Sequence, residues 1–258
     1  HHNWFQYYAS TANPTHARPT SAAWIGYTDP KDQTSTPVHH EYDLHDFYRT
    51  VAEGNFPSVS YIKFPAIGDA HPGNSDPLDE QANIVKLPNF LQQQRDWKNT
   101  AVIFTYDDSD GWYDHRYASP TTSSFDATTS EKTAQGTVVG ADQLNGPGLC
   151  TGPDAQPGIG VNGGIVNGRC GPGTRVPFLV ISPWARVNYV SDARITQSSV
   201  VRFIEDNWLD GQRIGQGSND ATAGSIMDMF DFRQGAGRVQ PLYLYPGTGT
   251  PIRKSRHS

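Results

Sequence analysis

The chain has 258 residues, enough for one large domain or two small ones with a sizeable core. Asp and Glu outnumber Lys and Arg by 26 to 20, and this acidic balance argues against general nucleic-acid binding, which needs a basic surface. Gly and Pro contribute 25 and 19 residues and only 36% of the residues are apolar, so we expect an ordered protein with long loops. No apolar run reaches the roughly 18 residues that would predict a transmembrane segment.

Predicted helices and strands alternate along most of the chain. Apolar periodicity predicts helices at residues 44–52, 79–94 and 197–209. Short runs of β-forming or apolar residues predict strands at residues 58–64, 101–106 and 176–182. Because helices lie between the strands, this order predicts an α/β fold with a mainly parallel central sheet.

Capping residues define the predicted helix ends. Asp43 precedes the first helix as its N-cap, and Gly54 follows that helix as a stop signal. The Asp79–Glu80 pair is expected to cap the second helix, which Pro88 interrupts. The third helix has an apolar face formed by Val200, Val201, Ile204 and Trp208.

Residues 116–174 depart from this alternation. They are dense in Gly, Thr and Ser and hold no convincing helix, and loops of this length are uncommon in compact domains. We therefore expect an insertion with short β-ribbons, pinned by Cys150 and Cys170. In an oxidising compartment these cysteines would form a disulfide worth about 3 kcal/mol on the chain-entropy model. Two unpaired thiols are the alternative.

The strongest local signal follows the predicted strand 101–106. Asp107 and Asp108 come directly after it, and Asp114 and His115 follow a turn. Ligands of open α/β sheets bind beyond the carboxyl ends of the strands, where carboxylates and an imidazole can hold a divalent cation. A solvated acidic turn is the alternative for residues 109–111. Two adjacent carboxylates, however, repel each other unless a cation or hydrogen-bond donors compensate.

His71 is a candidate site residue on geometric grounds. It follows the predicted strand 58–64, and if that strand runs parallel to 101–106, His71 lies at the same sheet edge as Asp107 and Asp108. The sequence also opens on His1 and His2 without an initiating Met. A tag remnant, a processed chain and a missing upstream part all remain open from the residues alone.

Five segments together resemble a known family, in that family's order and across nearly the whole chain. They are residues 1–11, which open His-His-Asn-Trp-Phe-Gln, and 69–81, 106–115, 169–184 and 198–208. They are similar to the C-terminal half of the bacterial phosphoesterase family that includes non-haemolytic, phosphatidylcholine-type phospholipases C and related acid phosphatases. The resemblance implies an alkaline-phosphatase-like α/β/α sandwich. It also implies that the histidine pair is native, because the family carries such a pair before a similar run.

The resemblance also implies roles for individual residues. Asp107 and Asp108 look like ligands of one divalent metal ion of unknown identity, and His1, His2 and His71 look like the catalytic imidazoles around the phosphoryl group. Asp114 and His115 fall in the same motif as candidates to support the metal ligands. The implied reaction is metal-dependent hydrolysis of a phosphomonoester or a phospholipid head-group ester through a phospho-enzyme intermediate. A cation and fixed N–H donors would stabilise the charge on the phosphoryl oxygens.

One part of the family pattern has no counterpart in this sequence. The family's Ser or Thr nucleophile and a Glu-Asn metal-binding pair lie in its N-terminal half. We therefore expect residues 1–258 to be the C-terminal part of a single secreted or periplasmic phosphoesterase domain, which works with its missing N-terminal half. The main alternative is a non-catalytic fragment that binds metal or phosphate. A sulfatase-like or phosphonate hydrolase on the same core is a further alternative.

Overall fold

A computed structural model describes residues 3–8, 11–26, 40–109, 112, 114–118, 172–215, 218–233 and 240–252, together with the backbone of six short strands between residues 122 and 171. The chain divides into two compact units. Unit 1 comprises His1–Phe104 and Leu179–Ser258, and unit 2 comprises Thr105–Phe178.

All three predicted helices are present, and all three lie in unit 1. They are α1 (Leu44–Ala52), α2 (Pro77–Leu91) and α3 (Ser198–Trp208). Single 3₁₀ turns lie at Trp4–Tyr7, Ala22–Trp24, Ala66–Gly68, Arg95–Asn99, Asn219–Ala221 and Met227–Met229. Within the described ranges, no helix has the length and apolar character needed to cross a membrane.

Two predictions about helix capping differ from what the structure shows. Asp43 occupies the N-cap position of α1, but its side chain makes no capping hydrogen bond and instead lies 2.8 Å from His16 Nδ1. Helix α2 begins two residues earlier than predicted because Asp76 is its N-cap, with Oδ1 accepting from the amides of Leu78 at 2.7 Å and Asp79 at 3.1 Å. The Asp79–Glu80 pair therefore lies in the first turn, where its charge favours the positive helix end.

The predicted apolar face of α3 is wrong at its C-terminal end. Trp208 is 52% exposed, whereas the buried residues of this helix are Ser199 and Glu205. Glu205 tolerates burial because Arg213 Nη1 lies 3.2 Å from its Oε2. A buried acidic residue with a partner eight positions along the chain breaks the simple helical pattern of apolar residues.

Eight short strands occur among the described residues. They are β1 (Val102–Thr105), β2 (Thr122–Ser123), β3 (Ser130–Lys132), β4 (Val138–Gly140), β5 (Gly158–Ile159), β6 (Ile165–Val166), β7 (Cys170–Gly171) and β8 (Phe178–Ile181). Strands β1 and β8 pair in a two-stranded sheet and confirm the predicted strands at 101–106 and 176–182. The other six form three antiparallel ribbons, β2 with β7, β3 with β4 and β5 with β6.

The predicted strand at 58–64 is wrong. These residues are all described and form no strand. Their alternation nevertheless marks a real face, since Ile62 and Phe64 pack against the hydrophobic core. The helices and the β1–β8 sheet give an α/β fold, with a two-stranded sheet rather than a wide parallel one in the part of the chain that is described.

The core of unit 1 joins α1, α2 and β1. Its four buried residues are Val51, Leu87, Leu91 and Val102. Partly buried apolar side chains surround them, namely Phe47, Tyr48, Phe56, Ile62, Phe64, Phe90, Trp97, Phe104 and Ile181. This packing holds the C-terminal half of α2, and the loop that carries His71 precedes that helix.

Candidate active site

The loop that carries His71 is closed by hydrogen bonds from its own side chains. Asp69 Oδ1 accepts the backbone amide of His71 at 3.1 Å. Ser75 Oγ accepts the amides of Asp69 at 3.2 Å and Ala70 at 2.9 Å. Ala70 adopts a left-handed backbone with φ +61°, a conformation that a non-glycine residue takes up only where its surroundings enforce it. The backbone of His71 is therefore fixed within the loop.

The ring of His71 has a defined proton position. Its Nδ1 lies 2.8 Å from the carbonyl oxygen of Pro72. A carbonyl oxygen only accepts hydrogen bonds, so Nδ1 carries the hydrogen, and a neutral His71 holds its lone pair on Nε2. An imidazole held in this form takes up or gives a proton at Nε2, which suits acid–base chemistry at an ester oxygen.

Asp69 stays charged beside this histidine. Burial opposes its ionisation, but the Lys63 ammonium and the His71 amide together hold the pKa of Asp69 below its usual value. Lys63 Nζ lies 2.7 Å from Asp69 Oδ2. Asp69 is not among the predicted site residues, although an aspartate two residues before a histidine is a recognisable signal for a side-chain turn of this kind.

The His71 loop is also attached to α2. Asn83 Nδ2 donates to the carbonyl oxygen of Gly68 at 3.0 Å. A Cβ at Gly68 would overlap that amide nitrogen, so a larger residue here would displace the Asn83 side chain from this hydrogen bond. With Asp76 capping the helix, both ends of the loop are held by α2 or its cap.

In unit 2, Asp107 and Asp108 follow β1 as predicted and are both exposed. Two adjacent carboxylates offer the hard oxygen ligands that divalent cations prefer. Among the residues that the structure describes, no group of three or more His, Cys, Asp or Glu side chains is arranged to hold a metal ion. Within the described part of the chain, the pair therefore offers two carboxylates and no complete set of metal ligands.

Asp114 and His115 form a separate arrangement in unit 2. Asp114 Oδ1 accepts the Arg116 amide at 2.6 Å, and Oδ2 lies 3.0 Å from Arg175 Nη2. The Arg116 amide, followed by the Arg175 guanidinium, holds the pKa of Asp114 below its usual value. His115 is exposed. The described contacts of Asp114 thus serve the turn and an ion pair.

The family model of the phosphoesterase family matches residues 2–209 of the chain, which is most of its length. The chain belongs to the phosphoesterase family.

Curated phospholipases C are similar to this phosphoesterase chain. A non-haemolytic phospholipase C of Pseudomonas aeruginosa is 32% identical over 62% of the chain and 21% of its own length. A haemolytic phospholipase C of the same species is 30% identical over 74% of the chain and 23% of its own length. A non-haemolytic phospholipase C of Burkholderia pseudomallei is 28% identical over 88% of the chain and 30% of its own length. The chain thus spans less than a third of the length of these relatives.

Several predicted site residues of this phosphoesterase chain stay predictions. His1, His2 and Cys150 lie outside the described residues, and Cys170 is described in its backbone alone. His71 belongs to unit 1, whereas Asp107, Asp108, Asp114 and His115 belong to unit 2. The structure therefore describes two halves of the predicted site, each within its own unit.

Proposed function

We propose that the protein to which this chain belongs hydrolyses phosphoesters, with a phospholipid head-group ester or a phosphomonoester as substrate. The observation that carries the proposal is the family match over residues 2–209, a range that holds His71, Asp107 and Asp108. The curated relatives named above are phospholipases C.

In this proposal the two halves of the site have different tasks. Asp107 and Asp108 would hold one divalent metal ion, which when bound supplies positive charge for the phosphoryl oxygens. His71, together with His1 and His2, would surround the phosphoryl group and protonate the leaving alkoxide. The hydrogen bond between His71 Nδ1 and the Pro72 carbonyl supports this role because it orients the imidazole ring and fixes its tautomer.

The proposed reaction has two steps. A hydroxyl, which we place in the part of the protein that corresponds to the family's N-terminal half, gives its proton to solvent, and its oxygen attacks phosphorus as the bond to the alcohol breaks. The alkoxide that leaves takes up the proton from an imidazolium. Water then gives a proton back to that imidazole and attacks the phospho-enzyme; the bond from phosphorus to the enzyme oxygen breaks, the phosphate or phosphomonoester is released, and the enzyme oxygen takes a proton from solvent to restore the hydroxyl. Asp114 and His115 would support the metal ligands from outside.

Three further features belong to the proposal. The β1–β8 pair would form part of a larger central sheet in an alkaline-phosphatase-like α/β/α sandwich. Cys150 and Cys170 would form a disulfide, and the protein would be secreted or periplasmic. The relatives support the chemistry. The sandwich rests on the sequence resemblance, and the disulfide and the location rest on the two cysteines and the loop-rich composition.

The second candidate function is non-catalytic: the chain would bind metal or phosphate without hydrolysing a substrate. It is favoured by the partial donor set, since two adjacent carboxylates are what the described residues contribute around Asp107. Phosphate or metal binding by the 258-residue chain, without hydrolysis by the full-length protein, would support it.

The test is an assay of the full-length protein with p-nitrophenyl phosphate and p-nitrophenyl phosphorylcholine, each with and without added divalent metal. We expect Asp107→Asn and Asp108→Asn each to lower kcat by roughly 10³-fold or more, as loss of a major electrostatic contribution does. Asp210→Asn is the matched control, because Asp210 is exposed and has φ +51°, which asparagine tolerates. Near-normal turnover in both site variants would overturn the assignment.

A second pair of variants tests the imidazole. His71→Ala should lower kcat by about 10²-fold or more, since general acid–base groups contribute 10²–10⁴-fold. His45→Ala is its control, because His45 is an exposed histidine on α1. The better of the two substrates distinguishes phospholipase C from phosphatase activity.

A further inference from the structure

Strands β1 and β8 run in opposite directions. Ser182, directly after β8, donates through Oγ to the carbonyl oxygen of Thr100, two residues before β1, at 2.9 Å. Trp184 Nε1 donates to the carbonyl oxygen of Lys98, also ahead of β1, at 2.9 Å. The end of β8 thus lies beside the start of β1, which is the arrangement of an antiparallel pair.

This antiparallel order brings Arg175 to the end of the strand pair where Asp107 and Asp108 lie. Asp107 comes two residues after the end of β1, and Arg175 comes three residues before the start of β8. Because the end of one strand lies beside the start of the other, both segments leave the strand pair at the same end. Parallel strands would have placed Arg175 at the opposite end. All three residues belong to unit 2.

Arg175 is held at this end by Asp114. Its Nε lies 3.1 Å and its Nη2 lies 3.0 Å from Asp114 Oδ2. The other carboxylate oxygen, Oδ1, accepts the Arg116 amide at 2.6 Å, so Asp114 is itself fixed by the turn. Nε and Nη2 make the ion pair, and Nη1 keeps two N–H donors that Asp114 does not use. The Arg175 side chain is 53% exposed, which leaves room for a ligand.

The chemistry of a guanidinium beside these carboxylates suits an anionic ligand. Exposed ion pairs contribute little to stability, so the main consequence of the Asp114–Arg175 pair is that it restrains a long side chain. A planar guanidinium matches the spacing of phosphate oxygens, and its hydrogen bonds to them are charge-assisted. A phosphate drawn to a metal ion at Asp107 and Asp108 would therefore meet a restrained cation at the same end of the strands.

We propose that Arg175 binds a non-bridging oxygen of the substrate's phosphoryl group through Nη1, and that Asp114 fixes the guanidinium for this contact. The inference rests on the proposed function, which places the phosphoryl group at Asp107 and Asp108. It gives the ion pair of Asp114 a task in substrate binding.

Binding of inorganic phosphate to the full-length protein tests the proposal, by isothermal titration calorimetry with divalent metal present. Arg175→Ala should raise the dissociation constant by about 10- to 100-fold, because a hydrogen bond between charged groups is lost. Arg175→Lys should raise it by less, since the charge is kept without the planar fork. Arg95→Ala is the matched control, because Arg95 is an exposed arginine paired with Asp96 in unit 1, and the constant should stay within about twofold.

Asp114→Ala separates contact with phosphate from a role in the ion pair alone. If Arg175 binds phosphate, this variant keeps the guanidinium, and the dissociation constant should rise by less than in Arg175→Ala. Equal increases in the two variants would mean that the intact ion pair matters rather than contact with phosphate, and would overturn the proposal. An unchanged constant in Arg175→Ala would overturn it too, as would a wild-type protein that binds no phosphate.

Failure of the two proposals can be told apart, because phosphate binding and hydrolysis are measured separately. A wild-type protein that binds phosphate through Arg175 but hydrolyses neither substrate removes the proposed hydrolysis and supports the anion site in a non-catalytic protein. An active wild-type protein whose phosphate binding does not respond to Arg175→Ala removes the role of Arg175 alone.

Discussion

Unit 1 and unit 2 each place a histidine shortly after an aspartate. In unit 1, Asp69 accepts the backbone amide of His71 itself at 3.1 Å. In unit 2, Asp114 accepts the amide of Arg116, the residue after His115, at 2.6 Å. Both aspartates also pair with a cation, and both have a lowered pKa. The difference lies in which backbone group the carboxylate holds, and that decides whether the aspartate positions its histidine.

The support behind the two aspartates differs as well. The His71 loop is tied to α2 through Asn83, and α2 contributes Leu87 and Leu91 to the buried core. The turn at Asp114 is held by Arg175, whose side chain is 53% exposed. Exposed ion pairs contribute little to stability, whereas core packing restrains everything attached to it. The predictions below test this contrast, in order of decreasing effect.

The largest effect is expected in the core beneath the His71 loop. Leu87→Ala should lower the free energy of unfolding by about 2–5 kcal/mol, because it removes buried methyl groups and leaves a cavity. Urea denaturation followed by far-UV circular dichroism measures this. The control is Leu78→Ala on the same helix, where the side chain is 63% exposed and a change within about 0.5 kcal/mol is expected. Equal losses in both variants would show that α2 does not anchor the loop through its core face.

The contrast between the two aspartates is tested by kcat. Asp69→Ala should lower kcat for p-nitrophenyl phosphate by about 10- to 100-fold, because His71 loses the acceptor that fixes its backbone. Asp114→Ala should lower kcat by a smaller factor than Asp69→Ala, since the ion pair that holds Asp114 is exposed and its proposed effect on the metal ligands is indirect. Asp96→Ala is the control within unit 1, where Asp96 pairs with Arg95 at 3.5 Å. Equal effects of the first two variants would contradict the distinction between the units.

Residues that begin and end a helix explain why α1 was predicted well. Helix α1 has the predicted bounds, since Asp43 and Gly54 flank a strongly periodic run and Gly54 adopts φ +87°. The strand at 58–64 failed for a different reason. Its alternation correctly predicts that Ile62 and Phe64 face the core, but a strand also needs a hydrogen-bonded partner, and the local pattern does not supply one.

The sequence indicated which residue types to expect at the candidate site, but not which residues hydrogen-bond or pair with them. The positions of His71 and of the carboxylates after β1 suggested a cation site at a sheet edge, and the resemblance to the family implied phosphoester chemistry there. The partner of Asp69 was not predictable, because the Lys63 side chain meets it only after the chain folds. The same holds for Arg175, which lies 61 residues from Asp114.

A smaller effect is expected at the cap of α2. Asp76→Ala should lower the free energy of unfolding by about 1 kcal/mol, because the amides of Leu78 and Asp79 lose their acceptor. Asp79→Ala should have a smaller effect of about 0.3–1 kcal/mol, through the helix dipole alone. Thermal unfolding of both variants under one buffer condition compares them. If Asp79→Ala lost more unfolding free energy than Asp76→Ala, the cap of α2 would be Asp79, as the sequence predicted, and not Asp76.

The smallest expected effect is the pH dependence of stability, which should be alike for Asp69 in unit 1 and Asp114 in unit 2. Each aspartate has a folded-state pKa below its unfolded value of 3.8, so the stability that it contributes is present above that value and is lost as pH falls through the folded pKa. Asp69→Asn and Asp114→Asn should therefore both be less stable than the wild type at pH 7, and both differences should shrink toward pH 3 in urea titrations. A difference that persisted at pH 3 would mean that neutral hydrogen bonds, rather than the charge, hold that loop. Because both carboxylates respond with the same sign, the pH dependence of stability does not show which aspartate positions its histidine, and the kcat comparison tests that.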